Sequence, residues 1–200
     1  MVRVAGDAPV TPGGPGGGNV RGRWTLIAIA AVVAAPVLLS YALYYFAPPD
    51  RFANYGELLP TTAFPGVGGT RLDGAPFDLA SLRGRWVLVV AAPAACDDAC
   101  TRTLYATRQA RTIQGRESER VVRVLLASGD AVPDAALLAQ HPDLVVARVS
   151  AGIGGSLPRG PGAIHLVDPL GHQVLAWPPA PDVKAMAKDI GRLLKASRIG

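Results

Sequence analysis

The sequence predicts an α/β fold, a mixed sheet with helices on both faces, preceded by one transmembrane helix. Three observations predict it. Trp24 to Phe46 is twenty-three residues without a formal charge. Beyond it, short valine-rich runs alternate with helix-compatible stretches, the order that builds a layered sheet. Near the C-terminus two short apolar runs flank the turn-rich tetrapeptide Asp168-Pro169-Leu170-Gly171, which adds a hairpin to the sheet.

The membrane helix follows from length. At about 1.5 Å of rise per residue the run crosses a hydrocarbon core about 30 Å thick. Trp24 at one end and Tyr41, Tyr44 and Tyr45 toward the other are rings suited to the headgroup zones. Pro36 lies mid-span, where membrane helices tolerate it. Arg3, Arg21, Arg23 and the amino terminus precede the span, and the next twenty residues carry only Arg51. The positive-inside bias therefore leaves the N-terminus in the cytoplasm and the C-terminal domain outside the cytosol. A cleaved signal peptide is the alternative, with Ser40-Tyr41-Ala42 as a weak site, but the apolar run continues past Ala42 and exceeds a signal core. The glycine- and proline-rich start has nothing to bury. The expected organisation is a flexible cytoplasmic tail over 1–23, the span over 24–46, a linker over 47–56 and one domain over 57–200.

Within that domain, Trp86 to Ala92 reads as a buried strand and Val121 to Leu126 as a second. Cys96 to about Gln114 reads as a helix with Ala106, Ala110 and Ile113 on one face, ended by Gly115. Pro133 opens a short helix through Gln140, and Leu144 to Val149 forms a third strand. Ile164 to Val167 and Val174 to Trp177 are the hairpin strands. From Pro181 to about Ala196, the residues Val183, Met186, Ile190, Leu193 and Leu194 recur at helical spacing as an apolar stripe.

The composition excludes several classes. Residues 50–200 hold 17 basic and 14 acidic residues with no dense Lys/Arg run, so nucleic acid is not an expected partner. No glycine loop sits between a strand and a helix to cradle phosphate, and no convincing Ser/His/Asp set emerges, which leaves hydrolase and kinase readings without support.

The only cysteines, Cys96 and Cys100, follow a buried strand and open a helix. Residues at i and i+4 share a helix face, so both sulfurs can lie on one side of the first turn. A helix N-terminus stabilises a thiolate, and two such sulfurs can form a disulfide or bind a soft ion such as Cu(I). A purely structural disulfide is the alternative, although so short a loop stabilises little. Asp97 and Asp98 oppose thiolate formation and so work against the helix dipole.

These residues resemble the thioredoxin superfamily and, within it, the SCO/SenC proteins that help assemble cytochrome c oxidase. The resemblance runs from about Asn54 to the C-terminus. It rests on Phe77-Asp78-Leu79-Ala80-Ser81-Leu82-Arg83-Gly84-Arg85-Trp86, the following apolar strand, the C-x3-C pair and Leu166-Val167-Asp168-Pro169-Leu170-Gly171. Asn54 to Leu59 is also similar to the start of uncharacterised membrane proteins encoded beside bacterial oxidase subunits. The resemblance implies a thioredoxin-like fold and a membrane-anchored periplasmic domain at the inner membrane. It also implies a respiratory oxidase subunit or another assembly factor as partner, besides the lipid bilayer. It carries Cys96 and Cys100 over as catalytic or copper-binding residues. Asp97 and Thr101 stand where that family has prolines, and Gly160 stands where it has its third copper ligand, a histidine. His165 is then read as a substitute ligand or as a packed, hydrogen-bonded imidazole; His141 and His172 are read as surface residues. Three functions follow: thiol–disulfide exchange with Cys96 attacking and Cys100 resolving, a Cu(I) metallochaperone on the same sulfurs, or a non-catalytic scaffold for an oxidase subunit.

Overall fold

A computed structural model describes residues 20–46, 54–93, 95–129 and 133–197. The chain divides into two compact units, residues 1–51 and 52–200. The expected tail lies outside the described residues up to position 19, as does the expected linker over 47–53.

In the first unit, α1 spans Val20–Phe46, with Pro36 inside it, and its stretch Gly22–Ala42 is long and apolar enough to cross a membrane. Tyr41 and Tyr45, one turn apart, stack at 6.5 Å between ring centres.

The second unit is built on one eight-stranded sheet in the order β1-β8-β7-β4-β5-β6-β2-β3. In chain order the strands are β1 (Glu57–Leu58), β2 (Gly68–Arg71), β3 (Pro76–Asp78), β4 (Trp86–Pro93), β5 (Val121–Ser128), β6 (Leu144–Val149), β7 (Ile164–Val167) and β8 (Gln173–Trp177). The central strand β4 runs parallel to β5 and antiparallel to β7, so the sheet is mixed. The helices are α2 (Asp98–Thr112), α3 (Ala135–Gln140), α4 (Ile153–Ser156) and α5 (Val183–Ala196).

Side chains alternate across each strand, which divides the core into two layers. Leu88, Val90, Leu125, Ile164 and Leu166 pack with Leu104 of α2, Leu137 of α3 and Met186 and Ile190 of α5. Val87, Val89, Val124, Leu126 and Val167 face the other way, against Phe64, Val67, Phe77, the 3-10 turn Leu79–Leu82 and Leu157. That second face is covered by a 3-10 turn, the one-turn α4 and irregular chain rather than by a long helix.

Several expectations are corrected in detail. The apolar face of α2 does not include Ile113, which caps the helix and is exposed, while Ala106 and Ala110 are buried. Pro133 precedes α3 rather than opening it; Asp134 is the cap and accepts from the Ala136 N–H. β1, β2 and β3 had no expectation at all. They are too short for an alternation pattern to register, and Gly69 in β2 is needed because a Cβ there would collide with the Arg148 carbonyl of β6.

The chain enters this unit along α5. The buried Asp189 accepts from the backbone N–H groups of Tyr55 (3.2 Å) and Gly56 (2.8 Å) and from the Trp177 indole (3.2 Å). The Tyr55 hydroxyl in turn accepts from the Asp182 N–H at the start of the same helix.

Candidate redox site at the end of the central strand

β4 is buried from Trp86 to Ala92 and emerges at Pro93. The Cys96 N–H bonds back to the Pro93 carbonyl at 3.0 Å, and Cys96 adopts φ +29°, a left-handed conformation costly for a side-chain-bearing residue. Asp97 is the N-cap of α2: its Oδ1 accepts from the Cys100 N–H at 2.8 Å, and its carbonyl accepts from Thr101. The helix therefore begins at Asp98, not at Cys96. Two causes fix this: aspartate is among the best capping residues, and a positive φ at Cys96 cannot continue a helix.

Cys96 and Cys100 form a disulfide, with Cα atoms 5.2 Å apart. The bond joins a residue just outside the cap to the third residue of the helix, not two positions on one helical face. The two cysteines differ in burial. Cys100 is 4% exposed and belongs to the core beneath α2, whereas Cys96 is only partly buried. The electrostatics are set by Asp97, whose carboxylate occupies the positive end of α2 and consumes an N–H that a thiolate could otherwise use.

The loop between β6 and β7 does lie against this end of β4. Gly162 donates to the Ala91 carbonyl at 2.7 Å, and α4 sits on the same strand end, where a Cβ on Gly154 would touch Ala91. Gly160, at φ +71°, offers no side chain there, and the neighbouring Arg159 pairs with Glu57.

The histidines are placed elsewhere. His165 lies opposite Val89 and Ala176, and strand alternation turns it to the face away from Cys100, edge-on to Phe64 at 6.0 Å. It is fully buried, and among the described residues neither ring nitrogen has a hydrogen-bond partner. Burial lowers its pKa from 6.5 to about 4, so the ring is neutral. The structure thus brings Cys96 and Cys100 together and leaves His165 behind the sheet, packed and without a hydrogen bond to any described residue. His172 contacts Asp168 at 3.4 Å in the hairpin, partly exposed. His141 is not a surface residue. It is 4% exposed, and its Nδ1 lies 3.2 Å from the guanidinium of Arg123, which is itself buried and bonded to Asp143, Thr107 and the Leu104 carbonyl. Burial first, then the charge of Arg123, lowers the His141 pKa to about 4. The signal for this cluster was an arginine inside the apolar run Val121 to Leu126, which requires buried partners. Among the described residues no group of three or more His, Cys, Asp or Glu is arranged to hold a metal ion.

Residues 86–197, more than half of the chain, match the family model described as the transmembrane-like, thioredoxin-like C-terminal domain. The chain belongs to that family. Residues 18–47 match the companion transmembrane-like N-terminal domain, and with the apolar α1 they mark a single-pass membrane anchor. No curated protein matches the chain. Among solved structures, yeast Sco1 with copper bound is 16% identical at a TM-score of 0.58, covering 70% of this chain and 96% of that one. Apo Sco1 from Thermus thermophilus is 23% identical at a TM-score of 0.55, covering 74% and 98%. A thiol:disulfide interchange protein from Bacteroides sp. is 15% identical at a TM-score of 0.51, covering 70% and 93%. At these identities the likeness is one of fold: this chain shares the thioredoxin-like architecture of Sco proteins.

Proposed function

We propose that this chain is a membrane-anchored, SCO-like accessory protein for cytochrome c oxidase assembly that works by thiol–disulfide exchange through Cys96 and Cys100. The supporting observation is the disulfide itself, between a partly buried Cys96 and a buried Cys100 at the end of the central strand of a thioredoxin-like sheet. In the reduced chain the Cys96 thiolate attacks one sulfur of a partner's disulfide and releases the other as a thiolate. The Cys100 thiolate then attacks Cys96, forming the intramolecular disulfide and releasing the partner as a dithiol. The reverse sequence oxidises a partner dithiol. Candidate partners are a respiratory oxidase subunit with copper-binding cysteines or another assembly factor. In this reading residues 57–200 form the working domain outside the cytosol, with the N-terminus inside and α1 in the inner membrane.

Copper enters as cargo. The residues present do not fit a centre of two cysteines and one histidine, because Gly160 has no side chain and His165 faces the opposite layer. What remains for a metallochaperone is two-coordinate Cu(I) on the reduced sulfurs, a soft-ligand arrangement. Cu(I) competition titration of the reduced full chain in detergent, beside thiol trapping in cells, separates the readings. Exchange predicts weak copper binding and a reversible disulfide. Tight binding lost in Cys96→Ser favours the metallochaperone, and unimpaired oxidase assembly in a Cys96→Ser/Cys100→Ser strain leaves the scaffold.

A further inference from the structure

The outer face of α5 carries a positive ridge that the redox reading does not use. The chain has 17 arginines and only three lysines, and all three lysines, Lys184, Lys188 and Lys195, lie on this helix. With Arg192 they fall at i, i+4, i+8 and i+11, one continuous stripe opposite the buried Met186, Ile190 and Leu194. All four are exposed or partly exposed, and the lysines have no ion-pair partner among the described residues. The acidic groups nearby are occupied: Asp189 is buried under Tyr55, Gly56 and Trp177 with Arg192 at 3.8 Å, Asp182 caps the helix, and Glu117 pairs with Arg120. The open groove between α5 and the end of α2 is lined by the same three lysines, and the exposed Ile113 stands at its rim.

The second observation is the route of the chain. Only seven residues separate the end of α1 at Phe46 from Asn54, a reach of at most about 30 Å when fully extended. Their far end is fastened to α5 itself, through Tyr55 and Gly56 on Asp189 and the Tyr55 hydroxyl on Asp182. The first described residues after the membrane helix are thus held on α5, a helix whose solvent face carries a row of cations.

We propose that the ridge Lys184, Lys188, Arg192 and Lys195 rests on anionic lipid headgroups of the membrane that α1 spans. The inference builds on the anchor reading. Lysine suits such a surface, because its compact ammonium on a flexible stem tracks a fluid, laterally mobile layer of phosphates without needing the fixed fork geometry of arginine. Each such charge near an anionic surface raises the partition toward it by about fivefold, and the effect fades with salt.

The test is side-chain acetylation of the full chain in nanodiscs, read residue by residue by mass spectrometry, with the Met1 α-amine as reference. Discs of phosphatidylcholine are compared with discs containing phosphatidylglycerol. Lys184, Lys188 and Lys195 are expected to react about threefold or more slowly in the anionic discs, and the protection is expected to vanish at high salt. In the exposed, fold-neutral variant Lys188→Glu, the protection of Lys184 and Lys195 is expected to weaken. Equal rates in both discs overturn the proposal, as does protection that needs no anionic lipid, which would assign the ridge to a protein partner. Failure of the chain to enter discs at all is a separate result that refutes the anchor and removes the proposal with it.

Discussion

Replacing Asp97 by asparagine removes a negative charge from the positive end of α2 while keeping its cap, since asparagine accepts the Cys100 N–H as well as aspartate does. Consecutive Cα atoms lie about 3.8 Å apart, so a carboxylate on residue 97 acts on a Cys96 thiolate from roughly 6 Å. Two unit charges at about 6 Å and an effective dielectric near 20 interact by about 3 kcal/mol, and at this exposed turn about half of that survives solvent screening. Removing about 1.4 kcal/mol of repulsion from the reduced form raises the reduction potential by about 30 mV. The assay is equilibration of the full chain against glutathione buffers at alkaline pH, where the thiolate is the reduced species, followed by alkylation and mass spectrometry. Asp98→Asn, at the first helical position without the cap bond, is expected to give a smaller rise. A potential that is unchanged or lowered in Asp97→Asn, with thermal stability retained, refutes the reasoning that this cap restrains the thiolate.

Other consequences follow from the buried polar groups. Asp189→Ala strands the buried donors of Gly56 and Trp177 and the part-buried N–H of Tyr55, and is expected to cost about 3 kcal/mol in denaturant unfolding of the C-terminal unit, whereas an exposed change such as Lys184→Ala is expected to cost less than about 0.5 kcal/mol. His165→Leu removes a buried ring with two unpartnered nitrogens, so stability at neutral pH is expected to rise by about 1 kcal/mol; a loss above that size would show that the ring is satisfied. His141 and His165 have folded pKa values near 4 against 6.5 when unfolded, so between those limits the unfolded chain binds protons that the folded one refuses. Stability is therefore full above pH 6.5, declines as pH falls toward 4 by up to about 3 kcal/mol per histidine, and levels off below. Denaturation midpoints measured across this range check the slope, and His165→Leu should remove about half of it.

What the residues disclosed followed the strength of their patterns. β4 and β5 were readable because a strand buried on both faces is apolar at nearly every position, β6 because its valines stand out although it is only half-buried, and α5 because its stripe keeps helical spacing over twelve residues. The hairpin was readable from its turn chemistry at Asp168 to Gly171, where Asp168 accepts from the N–H groups of Leu170 and His172. β1 and β3 were not readable because their pairing depends on register with partners set by the tertiary fold, Glu57 opposite Ala176 and Asp78 opposite Gly68. At the site the cysteine pair is legible in the residues, but the helix starts two residues beyond Cys96 because Asp97 acts as a cap as well as a charge. The histidines were the least legible. Whether His165 meets the cysteines depends on a strand's pleat, and the fate of His141 depends on a buried arginine eighteen residues away.

The two borders of the sheet are nearly closed. β1 contributes two residues and β3 three, the first of them a proline, Pro76, with no N–H to offer. Copies confined to a membrane plane meet one another far more often than copies free in three dimensions, and a long unpaired border would let them zip together edge to edge. Such stunted margins leave little for a neighbouring molecule to extend. Crowding at a membrane then does not turn this domain's sheet into a template for aggregation.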